Sequence, residues 1–104
     1  MTTFDDREQA FERRFVLDED QKFRAMARRN RLLGDWAALK QGKSGDDAGA
    51  YAKAVVAADF AEAGDEDVFR KVRADLPASV SDDEIRTAMT DLLEQAAAEV
   101  KAGS

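Results

Sequence analysis

Along residues 20–41, apolar side chains recur at Phe23, Met26, Leu33, Trp36 and Ala37, a helical spacing that stops before Gly42. The turn "QGKSGDD" leads into 47–63, where Ala48, Tyr51, Ala52, Val55 and Ala58 line one side. Val56 and Phe60 leave little polar face, which predicts the most enclosed helix of the chain. Gly64 closes it, and Asp65 is placed to cap a short helix with Val68, Phe69, Val72 and Leu76 on one face. Pro77 forbids its continuation after about three turns. Next comes "SDDE", Ser81 to Glu84, which fits the capping box Ser-x-x-Glu, with acids where the helix dipole favours negative charge. It opens a helix of about twenty residues striped by Ile85, Met89, Leu92, Leu93, Ala96 and Val100 and ended by Gly103. Val, Ile and Thr never alternate with the period a strand needs. The pattern therefore predicts an all-α fold, with residues 19–104 forming a four-helix bundle.

Residues 1–18 stand apart. Phe4, Phe11 and Phe15 fall within about 40° of one another on a helix, but they are surrounded by charge, and Glu8 intrudes at the edge of the stripe. The bundle core can be named without them, because Trp36, Tyr51, Phe60 and Phe69 supply its large side chains. Two readings stay open for this stretch. It is a disordered or loosely docked tail, or a flexible, marginally helical arm whose aligned rings, with Arg13 and Arg14 beside them, order on a partner's groove.

Charge sharpens the division. The 104 residues carry a net −6, split as −4 over 1–20, +6 over 21–43 and −8 over 44–104. The overall sign argues against nucleic-acid binding. With no cysteine and no histidine, disulfides, thiolate or imidazole catalysis and Cys/His metal sites are excluded. No apolar run is long enough to span a membrane and no signal-peptide core follows Met1, so the expectation is a cytoplasmic protein without direct membrane insertion, monomeric when free. The stretch "GKSG" at 42–45 resembles the end of a phosphate-binding loop. However, position 37 is Ala where that motif needs Gly, and a helix rather than a strand precedes it, so it reads as a helix stop. The clusters Asp65, Glu66, Asp67 and Asp82, Asp83, Glu84 read as helix-start acids rather than a metal site or a catalytic pair. No nucleophile stands beside a base, which points away from an enzyme. Arg24, Arg28 and Arg31 form a cationic stripe that is either an ordinary solvated face or a site for an anion, as guanidinium forks recognise phosphates and carboxylates well.

The segments "FDDRE", "FERRF", "DEDQKF" and "ARRNRLLG" within Met1 to Ala38, continued more loosely through "SDDEIR", resemble the zeta subunit of alpha-proteobacterial F-type ATP synthases, a small inhibitor of the ATPase head. The resemblance covers essentially the whole chain. It implies a four-helix bundle whose N-terminal segment inserts at an interface between alpha and beta subunits, next to gamma, and blocks rotation in the hydrolytic direction. Carried to this chain, the inhibitory stretch is about Thr2 to Leu17. Phe4, Phe11 and Phe15 would then fill apolar pockets, with Arg7, Arg13 and Arg14 as rim contacts. The protein would be peripheral to the inner membrane through the ATP synthase. No cofactor is required. The resemblance also implies ADP or ATP as a regulatory ligand that is not hydrolysed, for which charge alone points to Arg24, Arg28 and Arg31, with Lys43 as a lesser addition. The competing expectation is a nucleotide-sensing helical module without catalytic activity.

Overall fold

The computed structural model describes residues 17–61 and 65–103, with the side chains of 58–61 and 65 left aside. Four helices follow one another: α1 (Glu19–Lys40), α2 (Gly45–Ala61), α3 (Asp65–Asp75) and α4 (Asp82–Gly103), with no strand among the described residues. Phe60, Ala58, Gly64 and the whole of 1–16 lie outside what is described.

Each helix boundary has a local cause. Asp18 caps α1 through a complete capping box: its carboxylate accepts from the Gln21 N–H at 2.7 Å, and the Gln21 side chain accepts from the Asp18 N–H at 3.1 Å. Glu19 and Asp20 then sit in the first turn, where the dipole favours them. At the other end, the Lys43 N–H donates to the Ala38 carbonyl at 2.9 Å and the Gly42 N–H to Leu39 at 3.0 Å. This is a Schellman stop, and Gly42 adopts the φ of 76° it requires. "GKSG" thus ends α1. The box at α4 is only half formed. Ser81 Oγ accepts from the Glu84 N–H at 3.1 Å, but the Glu84 carboxylate turns to Lys40 of α1 at 3.3 Å.

α1 is the hub, packing along α2 and α4 and touching α3. The main core joins Leu33, Ala37 and Ala38 of α1 to Tyr51 and Val55 of α2. Val68, Phe69, Val72 and Leu76 of α3 complete it with Val80, Ile85 and Met89. The α3 stripe is as the spacing predicts. Gly34 lets α1 and α2 approach so closely that a Cβ there would stand 2.6 Å from Ala52 Cα. Polar ties lock the α2–α3–α4 side. The Tyr51 hydroxyl donates to Asp75 at 3.0 Å, and Lys71 pairs with the same carboxylate at 2.8 Å. Arg73 donates to the carbonyls of Val80 at 2.7 Å and Pro77 at 2.8 Å and pairs with Asp82, clasping the connection into α4. Burial and the negative Asp75 raise the Tyr51 phenol well above its usual 10.

Two expectations give way. Phe23 was placed on the core stripe and is 62% exposed. At that end α1 buries Ala25 against α4, and Phe23 lies about 160° round the helix from it. Nor is α2 enclosed throughout: among its described side chains Ala50, Lys53, Ala54 and Ala57 face solvent. Its apolar look comes from alanine, which favours a helix without needing to be buried.

Candidate functional site

The N-terminal arm enters the fold at Leu17, which is half-buried against a small cluster of Ala25, Leu93 and Ala97, with Met26 and Val100 at its edge. The Asp18 capping box fixes the backbone one residue later. Phe4, Arg7, Phe11, Arg13, Arg14 and Phe15 belong to the arm and lie outside the described residues.

The basic stripe lies on one exposed side of α1. Arg24 pairs with Asp20 one turn before it, Arg31 with Asp35 one turn after it at 3.8 Å, and Arg28 crosses to Glu99 of α4. The Gln95 amide, donating at 2.9 Å, and the Arg28 guanidinium hold the Glu99 carboxyl below its ordinary value. The three arginines therefore share a face, yet each already has a carboxylate partner. Lys43 is not with them. It sits in the α1–α2 turn, about two and a half helical turns beyond Arg31 along α1.

The acidic clusters are likewise engaged within the bundle. Asp67 pairs with Arg70, Glu66 with Arg86 at 3.1 Å, Asp82 with Arg73 at 2.8 Å, and Glu84 with Lys40. Among the described residues no three carboxylates converge as a metal site would need. A shallow hollow of about 370 Å³ opens between α1 and α4, lined by Trp36, Ala88, Thr87, Asp83 and Asp91 among others.

The spacing of apolar residues missed the most unusual pair in the molecule. Arg29 is 0% exposed and Asn30 1%. Arg29 Nε donates to Asn30 Oδ1 at 2.8 Å, while Asn30 Nδ2, fully buried, finds no acceptor. A signal existed. Arg29 is four residues from both Ala25 and Leu33, which places it on the buried face, but residue type argued it outward. Among the described residues no helix is long and apolar enough to cross a membrane.

Comparison with known proteins adds the following. The sequence profile of the family described as ATPase inhibitor subunit zeta matches residues 1–99. A structure solved by solution NMR superposes with a TM-score of 0.72 at 48% identity, covering 80% of this chain and 98% of that one. No match was found among curated protein sequences.

Proposed function

The chain belongs to the family of ATPase inhibitor subunit zeta, and on that footing we propose that it restrains an F-type ATPase by lodging residues 1–18 between alpha and beta subunits beside gamma, so that rotation in the hydrolytic direction is blocked. One observation carries this reading. The family match runs from residue 1 and so includes Phe4, Phe11 and Phe15, and the described helices bury a core of their own around Leu33, Val55, Val72, Ile85 and Met89. An aligned aromatic stripe of this kind suits an apolar groove in a partner, where each ring contributes by leaving water and the arginines at the rim fix orientation.

The bundle then supplies what a bare peptide lacks: a tether at Leu17 and Asp18, which reduces the ordering cost on docking. A nucleotide phosphate at Arg24, Arg28 or Arg31 would have to displace Asp20, Glu99 or Asp35, so the arm and not the basic stripe bears the proposal. The test is an ATPase assay on a cognate head with the full chain and a chain lacking residues 1–16, which keeps Leu17 and the Asp18 cap of α1. The expected result is loss of inhibition with cooperative melting of the bundle nearly unchanged. Equal inhibition by the truncated chain would rule out the arm as the blocking element.

A further inference from the structure

Helix α1 crosses two separate apolar clusters. Above it in sequence, Leu33, Ala37 and Ala38 belong to the main core; near its start, Ala25 belongs to the small cluster with Leu93 and Ala97. Arg29 and Asn30 stand between the two, both buried, and Asn30 brings a donor group that nothing receives. Water would satisfy that amide at once if the surrounding packing opened, whereas in the closed state its desolvation is uncompensated. Among the described residues the small cluster gives little in return for staying closed, because two of its three buried members, Ala25 and Ala97, are alanines. Opening at this place therefore releases one poorly satisfied polar group and gives up little apolar contact, while the main core keeps its own seal.

We propose that the Arg29–Asn30 layer is a built-in opening point, at which the first turns of α1 and the last turns of α4 separate as one unit while the rest of the bundle remains folded. This rests on the inhibitory reading of the arm and deepens it. Leu17, the root of the arm, packs on the unit that opens, so each opening frees the arm to change direction as it enters the ATPase.

The layer is tested on the full-length chain alone, by native-state hydrogen exchange. Amides near Ala96 to Val100, in the last two turns of α4, are expected to exchange at least tenfold faster than those near Ile85 to Met89 in its first two turns, and, as simple fraying of one helix end would not produce, in step with those near Ala25 to Ala27 of α1. Two variants remove the unsatisfied donor without stranding Arg29: Asn30→Asp, whose carboxylate still accepts from Arg29 Nε, and Asn30→Leu made together with Arg29→Met. Both are expected to raise protection of the two terminal segments together by about tenfold and to leave that of Ile85 to Met89 unchanged. Protection that stays the same or falls in both variants overturns the proposal, as does independent exchange of the two segments. The same variants are expected to slow the onset of ATPase inhibition several-fold, and an unchanged onset would sever the layer from docking. Because exchange is read without the ATPase, failure of the layer and failure of the arm as inhibitor are separate results.

Discussion

Beyond Arg29, α1 is enclosed by α2, α3 and α4, its backbone pressed against Ala52 and its side chains interlocked with Val55, Val72, Ile85 and Met89. Before Arg29 it leans chiefly on Leu93 and Ala97 of α4, with Met26, Val100 and Leu17 only partly covered. Among the described residues one continuous helix thus runs from a dense region into a sparser one, and the sparser region is the end nearest Leu17. Helical backbone hydrogen bonds are the same at both ends, so secondary structure does not make the difference; tertiary burial does. On the proposed reading, in which residues 1–18 are presented to a partner, such a gradient is useful. The dense end holds the fold, and the sparse end stays adjustable.

The largest expected contrast is between Leu33→Ala and Leu93→Ala in urea denaturation. Leu33 is sealed on all sides and its truncation should cost about 4 kcal/mol, while Leu93, at the sparse end where neighbours can relax into the gap, should cost about 2 kcal/mol. Equal losses would erase the distinction between the regions. Next in size is Gly34→Ala. The added methyl collides with Ala52 backbone, and despite alanine's better helix propensity a net loss of about 1–3 kcal/mol, read as a fall in Tm, is expected. The smallest effect concerns the tie between α1 and α4 near the arm. The carboxyl of Glu99 is held below its ordinary 4.5 in the folded chain, so its contribution is present above that value and is lost as pH falls through the lower folded one. Acidification through that window should lower Tm slightly more in the wild type than in Glu99→Gln, which has no such group to protonate.

Much of this architecture could be read before any coordinates. Gly42, Pro77 and the Ser81 cap are punctuation whose physics is local, and the stripes Val68, Phe69, Val72, Leu76 and Ile85, Met89, Leu93 bury as their periodicity requires. What escaped depended on neighbours. The spacing that puts Leu33 inside also puts Phe23 on the same stripe, but whether anything covers that stripe depends on where α4 lies. Asn30 and Arg29 reversed their type's preference because of their position between two clusters. Gly34 carried no turn signal at all; its meaning is the nearness of Ala52. The arginine stripe was visible in the sequence, whereas its pairing with Glu99, 71 residues away, was not.

Tyr51 is the chain's one tyrosine, and its hydroxyl is committed to Asp75. Since the folded state holds on to that proton more firmly than the unfolded chain does, alkali works against the native fold at this joint instead of simply charging the ring. The phenolate absorbance of this protein in rising pH is thereby a built-in optical gauge of whether α2 and α3 are still joined, requiring no label.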